Sequence, residues 1–402
     1  MPAPAELPGR LAELLEQGLG RQRRTLEGGQ GAHVRVDGEE VLSFASNDYL
    51  GLANHPELVV AAQLAAGRYG VGAGASHLLT GHHALHHRLE QALARFVGLP
   101  AALLFSTGYM ANLGVVSALV GRDGAIFADR LNHASLVDAA LLSRARHLRY
   151  PHLDLDALEK RLAASNARVK LIATDAVFSM DGDLAPIPEL IDLAERYDAW
   201  LYVDDAHGFG VLGREGRGIL EHYALHPSPL TPHPAPARSA PLAPRLIYLA
   251  TLGKAAGVAG AFVAGSQTLI DWLVHKARTY VYTTAMPPLL AAATLRSLEL
   301  IRSETWRRAR LAALVARLQA GAGGLPWRLL PSATPIQPLL VGGNAEAVRL
   351  AAGLRQRGIL CPAIRPPTVP EGTARLRISL SAAHSEADVD RLLAALYELA
   401  AT

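Results

Sequence analysis

The stretch RLIYLATLGKAAG, Arg245 to Gly257, reads as a buried strand followed by a lone lysine, Lys254, set among glycine and alanine. The residue type is informative because only four of the 39 basic residues are lysine: Lys160, Lys170, Lys254 and Lys276. A charged amine at the end of a buried strand loses hydration, and burial pushes it toward its neutral, nucleophilic form. Arginine keeps its proton and forms no imine, whereas a lysine amine can form a Schiff base with a carbonyl compound. On TLGKAAG alone, a lysine that simply caps a loop after the strand is an equally good reading.

A carbonyl cofactor such as pyridoxal phosphate would require further groups. Its ring nitrogen stays protonated only beside a carboxylate held at a strand end. WLYVDDAHGFG offers Asp204 after four apolar or aromatic residues, where an open α/β sheet places its ligand groups, and His207 follows three residues on. The phosphate needs free backbone N–H groups at a helix start. In LLFSTGYMANLGVVSAL a strand is predicted to end at Ser106, Gly108 permits close approach, and a helical pattern begins near Tyr109. Thr251 adds a hydroxyl. Tyr109 and His133, the latter in DRLNHASL, are flat side chains that could stack on a pyridine ring, although either alone is more often a packing or surface residue.

Two other patterns point elsewhere. GFGVLG, Gly208 to Gly213, matches a dinucleotide fingerprint after a strand, but Gly216 and Gly218 interrupt the helix that should follow. No acid occurs between Glu221 and Asp271 to hold a ribose. HHALHH places His82 with His86 and His83 with His87 at helical i, i+4 spacing. Four histidines with no acid or cysteine beside them more often form a polar face, so no metal site is expected.

The elements that must position these groups follow from periodicity. Leu7, Leu11, Leu14, Leu15 and Leu19 predict an amphipathic helix over 7–27, within a helical segment covering residues 1–45. Across 46–285, apolar runs (AALLFST, AIFAD, VKLIATDAVF, AWLYVDDAH, RLIYLAT, GAFVAGS) alternate with helical patterns such as SHLLTGHHALHHRLEQALARFVG and IPELIDLAERYD. That alternation predicts an α/β unit with a mostly parallel sheet covered on both faces. Residues 286–402 read as a smaller α+β domain, with long helices Leu289–Gln319 and Glu346–Gly358 and short strands in IQPLLVG and ARLRISL. Seven prolines between Glu221 and Pro244 exclude helix and central strand there, so 224–244 is expected to be an inserted surface loop.

Composition bounds the rest. The 402 residues are half hydrophobic and carry a formal charge of only +3, which does not favour nucleic acid. The short RQRR cluster, Arg21 to Arg24, lacks interleaved aromatics. A single cysteine, Cys361, excludes a disulfide framework. The amino-terminal stretch carries Glu6, Glu13 and Glu16 and no unbroken apolar segment, and no run reaches the ~18 apolar residues that cross a bilayer. A cytoplasmic enzyme with no membrane or nucleic-acid partner is expected.

Taken together, SFASNDYLGLANHP, GAGASHLLTGHHALHHRLE, DRLNHASLVDA, VFSMDGDLAPI, VDDAHGFGVLGREGRG, TLGKAAGVAGAFVAG, YTTAMPP and AIRPPTVPEGTARLRISLSAAH resemble the α-oxoamine synthases over nearly the whole chain. The last motif is similar to that of the branch that joins L-alanine to pimeloyl-CoA, or to a pimeloyl carrier protein, with loss of CO₂. A sibling using glycine or serine with another acyl-CoA shares every cofactor residue, and a silent or metal-binding scaffold would retain the fold without the imine.

The resemblance implies an aspartate-aminotransferase-like fold (fold type I), pyridoxal 5'-phosphate as cofactor and a homodimer. It implies that Lys254 holds the cofactor, Asp204 pairs with the ring nitrogen, His207 contacts the ring oxygen and His133 stacks on the ring. By the same likeness Gly108, Tyr109 and Thr251 bind the phosphate, Ser179 lines the pocket, and Thr283 and Thr284 reach the partner's phosphate site. Arg21 and Thr368 match substrate contacts, Arg365 matches a group for the amino-acid carboxylate, and Asn47 and Ser76 lie in motifs near the site. Asp175 stands where the family usually has glutamate, one methylene shorter, and the proline-rich insertion is longer than the family expects.

Overall fold

The computed structural model describes residues 3–16, 20, 23–225 and 244–401. At the amino terminus Leu7–Glu16 form a helix, shorter than the predicted 7–27. Its leucines share a face, but the helix buries none of its residues. By Leu26 the chain is already extended. Strand β1 (Leu26–Glu27) pairs antiparallel with β2 (His33–Val36), and β2 with β3 (Glu39–Ser43); Gly28 at φ 110° lies in the first connection and Gly38 at φ 83° in the second, where a side chain would be strained.

The central sheet has seven strands. They are β4 (Ala101–Phe105), β5 (Gly124–Asp129), β6 (Arg146–Tyr150), β7 (Val169–Asp175), β8 (Ala199–Asp204), β9 (Leu246–Thr251) and β10 (Ala261–Gly265). Their spatial order is β4-β10-β9-β8-β7-β5-β6, parallel except for β10, which runs against both neighbours. Six of these strands coincide with the apolar runs. The seventh, β6, escapes that criterion because RHLRY is an edge strand, mostly polar and only partly buried.

Alternating side chains along the inner strands serve two separate cores. Ile126, Leu171, Tyr202, Leu249 and Val263 pack on one side, and Phe127, Ile172, Val203, Tyr248 and Phe262 on the other. The helix Gly108–Leu119 lies on the first face and Ala84–Val97 on the second. The pattern from Ser76 is not one helix: a wide turn at His77–Gly81 precedes Ala84–Val97, with Leu79 in a non-helical conformation. A one-turn helix at Ile219–His222 reaches into the stretch where proline content excluded helix, ahead of its first proline.

Beyond the sheet, the predicted single helix Leu289–Gln319 is two, Pro288–Ser303 and Trp306–Gly321. No proline or glycine marks the break. Buried Arg307 anchors it instead, donating to the Glu304 carboxylate at 2.6 Å and to the Leu50 carbonyl at 2.8 Å. Further on come β11 (Arg328–Leu329), β12 (Ile336–Gly342), β13 (Ile359–Leu360), β14 (Ala363–Ile364) and β15 (Ala374–Ser379). β11, β12, β15 and β14 form an antiparallel sheet, while β13 pairs parallel with β3 and so joins the carboxy-terminal part to the amino-terminal ribbon.

Candidate active site

Three parallel strands deliver their carboxyl ends to one cavity of about 200 Å³. Asp175 ends β7 and Asp204 ends β8, paired in register, and Thr251 ends β9. Gly108, Tyr109, His133, Ser179, His207 and Lys254 line the same space. The Asp204 carboxylate is fixed by two donors: the Asn112 amide at 2.9 Å and the Ala206 backbone N–H at 3.1 Å. Asn112 is itself held by the Tyr202 hydroxyl at 2.7 Å and donates to Ser135 Oγ at 2.7 Å. Ser135 then directs its proton to His133 Nδ1 at 2.6 Å, which leaves the His133 proton on Nε2. Burial lowers the pKa of His133, against the pull of Asp204, so its ring is neutral as well as oriented.

Asp175 is a different kind of carboxylate. Fully buried beside Asp204, it is pushed well above the usual carboxylate range, first by desolvation and then by its neighbour's charge. It accepts the His133 backbone N–H at 2.8 Å, so the aspartate sets the start of the helix Ala134–Ser143 that carries His133.

Lys254 sits in a chain of hydrogen bonds whose proton positions follow from one another. Its amine lies 3.1 Å from His207 Nε2, His207 Nδ1 lies 2.7 Å from the Tyr49 hydroxyl, and Tyr49 donates to Asn47 Oδ1 at 3.1 Å. Burial, reinforced by the positive charge of Lys254, holds the pKa of His207 well down, so its ring is neutral. With Lys254 donating to Nε2, Nδ1 keeps the proton and donates to Tyr49. Desolvation pulls the lysine itself down to about 8, against the attraction of Asp204 and Asp175.

The helix-start end of the cavity is built where β4 meets the helix Gly108–Leu119. Thr107 caps that helix by accepting the Met110 N–H, and Gly108 is its first residue. A Cβ on Gly108 would stand 2.6 Å from Thr251 Cγ2, so the end of β9 and the start of this helix approach here more closely than any other residue allows. Tyr109 is half-exposed and its hydroxyl bonds Asp138, which leaves its ring over the cavity wall.

Other expected residues lie outside this cavity. Ser76 precedes the His77–Gly81 turn, and Thr283 and Thr284 lie on the surface, with the Thr283 hydroxyl bonded to the Thr284 carbonyl. Arg365 and the exposed Thr368 lie on the loop after β14, bridged by the Thr368 N–H to the Arg365 carbonyl. Arg21 falls outside the described residues, as does 226–243 of the proline-rich loop. Asn47 is drawn to the site indirectly, through Tyr49 and Arg377.

Sequence reasoning missed Tyr49, Asn112 and Arg377. Arg377 is buried, yet among the described residues its hydrogen-bond partners are all neutral: the Ser179 carbonyl at 2.6 Å, Ser379 Oγ at 2.7 Å, Asn47 Oδ1 at 3.2 Å and the Tyr49 hydroxyl at 3.4 Å. A buried guanidinium bonded only to neutral groups is suited to receive a carboxylate. The signal for it in sequence is an arginine inside the apolar strand ARLRISL.

Residues 39–396 match the family described as aminotransferase class I and II. A protein of Nitrosomonas europaea named 8-amino-7-oxononanoate synthase is 62% identical over 396 residues, spanning 98% of this chain and 99% of that one. The chain belongs to the 8-amino-7-oxononanoate synthase family. A solved 8-amino-7-oxononanoate synthase from Francisella tularensis shares 29% identity with a TM-score of 0.75, over 89% of this chain and 97% of that one. A serine palmitoyltransferase variant from S. paucimobilis, solved with a bound PLP–myriocin aldimine, has 27% identity and a TM-score of 0.88, covering 98% and 96% of the two chains. Fold type I, expected from the motifs, is the fold of this family member. The cavity suits that cofactor: it offers an amine, a fixed carboxylate, a neutral imidazole and a helix start whose glycine leaves no room for a side chain.

Proposed function

We propose that this chain condenses L-alanine with pimeloyl-CoA, or with the pimeloyl group of a carrier protein, to form 8-amino-7-oxononanoate. CoA or carrier and CO₂ are released, and the product belongs to biotin biosynthesis. The observation that carries this reading is the partly buried amine of Lys254 in one cavity with Asp204, His207 and the Gly108 turn. The names borne by relatives of 62% identity support it.

Pyridoxal phosphate would be held by Lys254, with Asp204 at its ring nitrogen, His133 on its ring face, His207 toward its ring oxygen and Gly108, Tyr109 and Thr251 around its phosphate. When bound, it supplies the electron sink for charge developed at the alanine Cα. Lys254 takes the Cα proton, a task suited to an amine brought down to about 8. His207, Tyr49 and Asn47 orient that amine. Arg377 receives the alanine carboxylate, in preference to the surface-loop Arg365, because it is buried, fixed and bonded only to neutral groups. The thioester carbon then bonds to Cα as its C–S bond breaks and the thiolate leaves; the bond from Cα to the carboxylate breaks to release CO₂, and Lys254 returns a proton to Cα.

The large unit, 46–285, supplies the cofactor groups, and the small one, 286–402, supplies Arg377. We read the working form as a cytoplasmic homodimer in which Thr283 and Thr284 serve the partner's site. Two facts support this: both threonines lie outside their own chain's cavity, and among the described residues no helix is long and apolar enough to cross a membrane.

The test is direct. Purified protein should show a visible absorbance band that shifts with L-alanine but not with glycine or L-serine, and should release CO₂ with pimeloyl-CoA in preference to shorter or longer acyl-CoAs. A colourless protein unable to bind pyridoxal phosphate would sink the cofactor assignment. Turnover with glycine or L-serine and none with L-alanine would move the chain to a sibling reaction.

A further inference from the structure

The histidines of GHHALHH read in sequence as a polar face, but the fold brings them an acid and a fifth histidine. His82 Nε2 lies 3.8 Å from Glu90 Oε2, and His87 and Glu90 share one face of the helix Ala84–Val97. One ligand atom from each of His82, His87 and Glu90 lies within 4.8 Å of the other two. We propose that His82, His87 and Glu90 form a binding site for one divalent transition-metal ion of the zinc class.

Proton positions select these three from the larger cluster. His86 also lies close, but its Nδ1 accepts the His83 N–H at 3.1 Å, so its Nε2 must carry a proton and cannot ligate. His77 and His82 face each other through their Nδ1 atoms at 2.9 Å, so one of the two donates. When a cation lies between His82 Nε2 and the Glu90 carboxylate, His82 is that donor and its Nε2 turns a lone pair toward the ion. His77 is then the outer partner that orients the ligand; it is buried and stacked on Tyr280 with centroids 4.9 Å apart and an 11° interplanar angle. Glu90 is likewise held, its Oε1 accepting the Leu104 N–H at 3.0 Å.

Tetrahedral zinc with ligand bonds of ~2.0–2.2 Å sets neighbouring ligand atoms about 3.3 to 3.6 Å apart, so the His82–Glu90 pair at 3.8 Å needs to close by a few tenths of an ångström and the pairs to His87, within 4.8 Å, by up to about 1.5 Å. Partly exposed His82 and exposed His87 can make that adjustment. His87 must also release the Gln91 amide, which lies 2.9 Å from its Nε2, or ligate through Nδ1. The three ligands border an open cavity of about 610 Å³ that admits water as the fourth. Two imidazoles and one carboxylate favour zinc, cobalt or nickel over magnesium or calcium. A bound ion would fasten the His77–Gly81 turn to the helix that follows it. That turn adjoins Ala75, whose carbonyl accepts the Ala285 N–H at 3.0 Å.

The experiment uses the cofactor-loaded protein after chelator treatment. Equilibrium dialysis with Zn²⁺ should give one ion per chain with Kd below ~10 μM, Co²⁺ should give tetrahedral d–d absorbance, and Mg²⁺ should not compete. His87→Ala and Glu90→Gln should each weaken Zn²⁺ at least about tenfold and abolish the Zn²⁺-dependent rise in melting temperature, while the exposed-site control His222→Ala behaves as wild type. No stoichiometric uptake, or uptake unchanged in His87→Ala and Glu90→Gln, overturns the proposal.

Discussion

Lys254 is held between two opposing influences: burial that favours the neutral amine, and the carboxylates of Asp204 and Asp175 that favour the charged one. Burial wins, which gives a stability signature. In cofactor-free protein the folded lysine releases its proton near 8 and the unfolded one near 10.5, so between those values the unfolded chain binds more protons and stability rises with pH. Lys254→Met removes the burden of the buried charge. It should stabilise the cofactor-free protein by of order 3 kcal/mol at about pH 7, the gain fading by about pH 10.5, as read by urea unfolding at both values. An equal gain at both would show that charge is not the cause. Arg377 gives the second residue-scale prediction. Arg377→Lys should raise KM for L-alanine roughly 10- to 100-fold, because one ammonium cannot reproduce a planar fork. Arg365→Lys should change it much less; the reverse order would return the carboxylate to Arg365.

At the scale of elements, the decisive contact joins the end of β9 to the start of the helix Gly108–Leu119. Gly108→Ala should weaken pyridoxal phosphate binding about tenfold or more with the fold intact, since the added methyl meets Thr251 Cγ2 at 2.6 Å. Adding Thr251→Ser deletes that methyl and should recover much of the affinity in a cofactor titration; a double variant as weak as the single one would place the cause elsewhere. The apolar runs marked six strands because each of them, including antiparallel β10 and the covered edge strand β4, is buried on both faces. The edge strand β6 and the break at Glu304–Thr305 went unseen. One is mostly polar, and the other is set by Arg307 bonding to Leu50, more than 250 residues away in sequence.

Across the whole molecule, the assignment of Thr283 and Thr284 to a partner's site predicts complementation. Protein carrying Lys254→Ala and protein carrying Thr283→Ala with Thr284→Ala should each be impaired alone. Mixed and allowed to exchange subunits, they should regain activity, because one site of the mixed dimer then has an intact lysine and an intact partner segment. Failure to recover in a verified mixed dimer would place the threonines in their own chain's site or outside any. By itself the sequence determined the α/β class and set a lysine, an aspartate and a glycine-led helix start just after apolar runs. Local residue type and a period of two or 3.6 are enough to read those. Tertiary structure alone decided which arginine is buried among neutral partners, that Asp175 is raised by lying beside Asp204, and that Tyr49 links His207 to Asn47. Each of these depends on packing between segments distant in the chain, and desolvation by that packing sets the charge state of a group without leaving a local pattern in the sequence.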